Sequence, residues 1–165
     1  MAMDSRDLRK GLGCFATGVT IVTTVDAAGG PVGLTVNSFN AVSLDPPLVL
    51  FSLRRQANSL AAFLAAEHFA VNVLRAEQQA LSHSFAIASA DKWRGVDYVT
   101  WDSGCPILPD ALSKFECRIR HTHDGGDHVI FVGEITRMEC DVDGQPLLYF
   151  RGDYCGLAEA ADQAG

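Results

Sequence analysis

At 165 residues the chain is long enough for one domain with its own core, and folding at this size removes roughly 70% of the unfolded surface from water. A formal charge of −7 argues against nucleic acids and anionic membranes as main partners, because both need a basic footprint; an anionic ligand must be met by a local cluster. Five scattered cysteines (Cys14, Cys105, Cys117, Cys140 and Cys155) form no C-x-x-C pair, which reads as buried reduced thiols in a cytoplasmic protein rather than zinc ligands or a redox dithiol.

The amino-terminal MAMDSRDLRKG is charged and lacks the apolar stretch of a signal peptide. No run of about eighteen apolar residues suggests a membrane span. Ser5 is placed to cap a short helix through Gly13, and VTIVTTV (residues 19–25) has the β-branched character of a strand. A turn in DAAGGP (26–31) leads to two further strands, GLTVNSF (33–39) and PLVLFSL (47–53). Between these, Asp45, Pro46 and Pro47 forbid helix and break the ladder. Asn58 is the expected cap of a helix over SLAAFLAAEH (59–68), with Leu60, Phe63 and Leu64 on its buried face. HFAVNVL (68–74) returns to strand, and a second helix from Glu77 buries Leu81 and Phe85. Residues 87–109 carry no period and read as one long loop. Strands over 113–121, 128–142 and 146–150 follow, with turns at 124–127 and 143–145; the small polar tail 158–165 is expected to fray. Many strands, short turns and few helices make residues 1–165 a single mainly β domain, an antiparallel barrel or sandwich with added helices.

Three segments carry chemistry. In HTHDGGDHVIFVG (121–133), His121 and His123 lie two apart on a strand and point the same way; Asp124, Asp127 or His128 would have to complete a metal shell. The simpler reading is a polar hairpin tip with Asp and Gly supplying the turn, and no metal site is assigned. In the second segment, Thr35 and Asn37 share one strand face and Val36 and Ser38 the other. Polar groups there need a partner in the protein or in a ligand, unless the strand is a solvated edge. In the third, Arg54, Arg55, Gln56, Asn58 and Ser59 offer donors for an anion near a helix start, or else form an ordinary turn and cap. A dinucleotide fingerprint, a P-loop and a nucleophile elbow are all missing from the sequence.

Taken in order, LGCFATGVTIVTT (12–24), GLTVNSFNAVSLDPPLVLFSL (33–53), FAVNVL (69–74), GDHVIFVGEI (126–135) and PLLYFRGDY (146–154) resemble the short-chain flavin reductases. These are the reductase components of two-component flavin-dependent monooxygenases, and the resemblance runs from about residue 8 to 157. It implies a split β-barrel of Greek-key type that binds FMN or FAD, as a homodimer with the flavin near the subunit interface. By position, Thr35, Val36, Asn37 and Ser38 would line the isoalloxazine and ribityl chain, with Ser52, Leu53 and Arg54 continuing that wall. Asn58 and Ser59 would take the phosphate, and Ser84 and Phe85 would close the site. His128 of the Gly126-Asp127-His128 motif, with Arg151, Gly152 and Tyr154, would face NADH or NADPH.

The implied activity is NAD(P)H-dependent flavin reduction, with reduced flavin passed to a separate oxygenase. Direct hydride transfer requires the two rings to be held face to face rather than a protein nucleophile, so a missing catalytic triad fits. The same fold also suits a flavoprotein with tightly bound FMN that reduces a corrinoid or metal complex or carries electrons, and it suits a redox-silent oligomeric scaffold. The loop RRQANS (54–59) leaves FMN and FAD both open, and the resemblance assigns no role to Trp93 or Trp101.

Overall fold

A computed structural model describes residues 4–88 and 91–157 of the chain. Helix α1 (Ser5–Leu12) is capped by Asp4 rather than Ser5, because the Asp4 carboxylate accepts from the Arg6 amide at 2.7 Å. After it come β1 (Thr17–Gly18), β2 (Thr20–Val25), β3 (Pro31–Val36), β4 (Asn40–Leu44) and β5 (Pro47–Arg54). Strand β4 is absent from the sequence reading. Asp45 and Pro46 make the two-residue turn of a β4–β5 hairpin, and Pro47 begins β5, where it pairs with Leu44.

Helix α2 (Leu60–Ala65) is shorter than the sequence suggests, and its cap position is Ser59, not Asn58. With only six residues it has one inward seat: Phe63 is fully buried, whereas Leu64 is exposed. Strand β6 (His68–Val73), a 3₁₀ turn and α3 (Gln79–Ala86) follow, with Phe85 buried as expected. The segment read as one long loop contains a small hairpin, β7 (Val99–Thr100) and β8 (Pro106–Ile107). It also buries Cys105, Ile107 and Leu108 against the main sheet. Its apolar residues are too few and irregularly spaced to show a period. Strands β9 (Ser113–Gly125) and β10 (His128–Cys140) form one long ladder, joined by Gly126 and Asp127 alone. The expected turn at 124–127 is therefore two residues long. Strands β11 (Leu148–Phe150) and β12 (Asp153–Cys155) close the described chain, and the tail 158–165 lies outside the described residues.

Seven strands make one antiparallel sheet in the order β3-β2-β6-β9-β10-β5-β4. The sheet curls until its two ends meet. The Ser38 hydroxyl, just past β3, accepts from the Ser52 amide at 2.9 Å and donates to the Ser52 carbonyl at 3.2 Å. The result is the mainly β split barrel implied by the sequence.

Inside it Phe51, Phe63, Phe69 and Phe131 are fully buried, and Phe51 stacks on Phe131 with centroids 5.0 Å apart. Each such ring contributes about 2 kcal/mol of burial, so this cluster dominates the core. Strand β2 is buried on both faces, which explains its unbroken β-branched run. Its threonines remain satisfied because Thr20, Thr23 and Thr24 donate to the carbonyls of Val36, Pro106 and His68. Strand β5 alternates: Val49, Phe51 and Leu53 face the core, and Ser52 and Arg54 face away from it.

The cysteines divide. Cys105 and Cys117 are buried, and burial pushes both thiols above their usual range. Cys14, Cys140 and Cys155 are exposed, contrary to the expectation of five buried thiols.

Candidate functional site

Two adjoining grooves lie on the outer side of the curled sheet. The inner groove, about 540 Å³, runs between the end of β3 and the outer face of β5. Thr35, Val36, Asn37 and Ser38 form one side of it. Ser52, Leu53 and Arg54 form the other, and His128 and Tyr154 reach in from β10 and β12. The β5–β10 register accounts for the meeting of Arg54 and His128, which are cross-strand partners.

The outer groove, about 670 Å³, continues past Leu34, Thr35, Ala57 and Ala86, which both grooves share. It holds Asn58, Ser59 and Phe85, together with Gln56, Lys92 and Trp93. The Ser59 side chain makes no capping bond to α2, so its hydroxyl stays available to a ligand.

Three expected residues stand apart from both grooves. Ser84 is half-buried on α3, where Ala86 takes the groove-facing position instead. Arg151 and Gly152 form the two-residue turn between β11 and β12, with φ of 52° and 88°. Positive φ at both positions is the geometry that lets so short a turn match the strand twist. The Arg151 amide donates to the Gly13 carbonyl at 2.8 Å, which pins the turn to the end of α1.

The hairpin tip divides as its chemistry suggests. His121 and His123 share a face, with ring centroids 5.9 Å apart, and both are exposed. Among the described residues no group of three potential ligands converges on a metal position. His128 turns into the inner groove, with Nδ1 placed 2.7 Å from Oδ1 of Asp127. That bond holds the Asp127 carboxyl below its usual range. Gly126 has a φ of 75°, so its role is to make the turn.

Arg55 does not contribute to an anion site. Its guanidinium pairs with Asp124 at 3.0 Å and donates to the Gly126 carbonyl at 2.8 Å, which leaves Arg54 as the arginine of the inner groove.

Sequence reasoning missed a polar chain behind this wall. Thr35 donates to the Ser82 carbonyl at 2.6 Å, and the fully buried Ser82 hydroxyl lies 2.8 Å from the Tyr154 hydroxyl. Ser82 thus ties β3, α3 and β12 together; a serine within a short helix carries no signal of such a role. Tyr149 also lines the inner groove and meets Tyr154 edge to face at 5.4 Å. Lys92 and Trp93 stand in the segment without period.

The inner groove mixes apolar side chains such as Val36, Leu53 and Tyr149 with the short polar groups of Thr35, Asn37, Ser38 and Ser52, and carries one histidine and one arginine. That donor set fits a flat heteroaromatic ring with carbonyl and ring-nitrogen edges. A family model for the flavin reductase like domain matches residues 12–158. The chain belongs to this family.

It is 46% identical over 154 residues to the FMN reductase (NADH) SmoA of Agrobacterium fabrum, covering 92% of this chain and 85% of that protein. It is 42% identical to HsaB of Rhodococcus jostii, the reductase subunit of a flavin-dependent monooxygenase, covering 94% of this chain and 80% of HsaB. Some relatives are longer: the chain spans 48% of a probable flavin reductase of Rhizobium meliloti, at 44% identity over 92% of its own length. Among solved structures, the NADH:FAD oxidoreductase SgcE6 of Streptomyces globisporus, in complex with NAD and FAD fragments, superposes with a TM-score of 0.90. That match has 37% identity and covers 98% of this chain and 99% of SgcE6.

Proposed function

We propose that this flavin reductase-like chain oxidises NADH or NADPH with FMN or FAD as acceptor and releases reduced flavin to a separate oxygenase. The observation that carries the reading is the inner groove. One cleft gathers Thr35 to Ser38, Ser52 to Arg54, His128 and Tyr154 from four different strands and the turn after β3. When bound, the flavin supplies the chemistry by accepting a hydride from the dihydronicotinamide.

The chain's own residues bind and orient. Backbone and short side chains from 35–38 and 52–54 hold the flavin flat against β5, and Asn58 and Ser59 meet its phosphate. His128, fixed by Asp127, contacts the nicotinamide, while Ser82 holds the Tyr154 hydroxyl in place. Such positioning serves a reaction that needs two rings held at near-attack distance and no protein nucleophile.

The large exposed apolar residues Leu12, Phe15, Leu44 and Val142 support a homodimer, which light scattering after size exclusion would report. Five free thiols suit the reducing cytoplasm.

The activity test is NADH or NADPH oxidation with riboflavin, FMN and FAD in turn. Flavin-dependent oxidation with free reduced flavin is expected, and purified protein that shows none refutes the proposal. For His128→Ala, the KM for NADH should rise more than the Kd for flavin; equal losses would remove the nicotinamide role.

A further inference from the structure

Two histidines near the end of β9, His121 and His123, line neither groove. We infer that they form an open two-nitrogen clamp for a divalent transition-metal ion, of which copper(II) binds best. The assignment does not depend on what the inner groove holds.

Their placement follows from the β9–β10 ladder. His121 pairs with Val132 and His123 with Ile130. Val129 and Phe131 point into the core, so the alternating Ile130 and Val132 face outward and carry both histidines with them. Pairing of β9 with β6 ends at Arg118, and among the described residues no other strand takes that edge. Both imidazoles are therefore exposed while the backbone beneath them stays fixed by β10.

The separation of the rings decides whether one ion can join them. An imidazole nitrogen binds zinc at about 2.0–2.1 Å, which puts the ion about 3 Å from the ring centre. Two rings on one ion then have centres no more than about 6 Å apart. Those of His121 and His123 are 5.9 Å apart, with their planes tilted by 33°. The pair lies within reach before either side chain turns.

The neighbouring carboxylates are spent elsewhere. Asp124 pairs with Arg55, Asp127 with His128, and Glu134 with Arg120. The clamp thus offers two imidazole nitrogens and leaves the other coordination positions to water or a small chelator. Nitrogen ligands of this kind favour copper(II) over nickel(II) and zinc(II), whereas magnesium and calcium require oxygen.

The test uses the full chain with its exposed thiols, Cys14, Cys140 and Cys155, alkylated, because free thiols take up the same ions. Copper(II) sulfate, titrated calorimetrically, should bind wild type, and electron paramagnetic resonance should show hyperfine splitting from two imidazole nitrogens. His121→Gln and His123→Gln should each weaken binding by about tenfold or more, since the second nitrogen no longer binds intramolecularly. Both rings are exposed, so neither change touches the core, and circular dichroism should match wild type. His83→Gln, at an exposed position on α3, should leave copper binding unchanged. Copper affinity that survives the double substitution of His121 and His123, or a spectrum with one coordinated nitrogen in wild type, overturns the clamp.

Discussion

Replacing Ser38 by alanine tests how the barrel is closed. Strand β4 pairs with β5 only as far as Leu50, so the backbone of Ser52 on that edge has no strand partner from β4. The Ser38 hydroxyl substitutes for one, accepting from the Ser52 amide at 2.9 Å and donating to its carbonyl at 3.2 Å. Two such bonds contribute about 1 kcal/mol each, so Ser38→Ala should cost about 2 kcal/mol. In a chain of this size that corresponds to a fall in Tm of about 4–8 °C. Urea denaturation should give a lower midpoint with an unchanged slope, because the surface exposed on unfolding stays the same. Ser38→Thr keeps the hydroxyl and should retain most of the stability. An alanine variant that melts within about 1 °C of wild type would refute the claim that this side chain closes the sheet. Flavin affinity should fall with stability, since the same bonds hold the two sides of the inner groove together.

Three further outcomes follow from the described contacts. Gly33→Ala should destabilise the chain by about 1–3 kcal/mol in denaturant titration and shift Trp93 fluorescence, because the new methyl meets Phe85 and Trp93; wild-type stability and emission would count against it. A thiol reagent applied to the native chain should label Cys14, Cys140 and Cys155 quickly, and reach Cys105 and Cys117 only on unfolding, as mass mapping would show. Asp124 and Asp127 both have depressed pKa values, so their contribution to the hairpin tip is present above the ordinary carboxylate range and is lost as pH falls through the depressed values. Amide exchange at Gly126 and His128 should therefore speed up below about pH 4 relative to the intrinsic rate, and Asp127→Asn should blunt the effect.

The strands and core phenylalanines were legible because β-branched runs and alternation report burial directly. Thus β2, β5 and β6 sit close to where pattern puts them. Strand β4 escaped because its residues are mostly exposed and show no buried face, and its hairpin partner begins with a proline that usually argues against pairing. The hairpin over residues 99–107 escaped for a related reason: a two-residue strand is too short to display any period. Within the site, the motif residues on β3, β5, β10 and β12 line one groove because strand register brings them together. Arg151 and Gly152 belong to a motif as well, yet their geometry is that of a turn. Ser82 was invisible because its role arises from a contact with Tyr154, seventy-two positions away.

Strand β5 has a consequence for how this chain tolerates change. Val49, Phe51 and Leu53 fill the core while Ser52 and Arg54 form the floor of the inner groove, so the strand has no idle face. Drift at the first set erodes the scaffold, and drift at the second reshapes the inner groove. Substitution that spares both is left to positions such as Ala61 and Ala62 of α2, which border the outer groove alone.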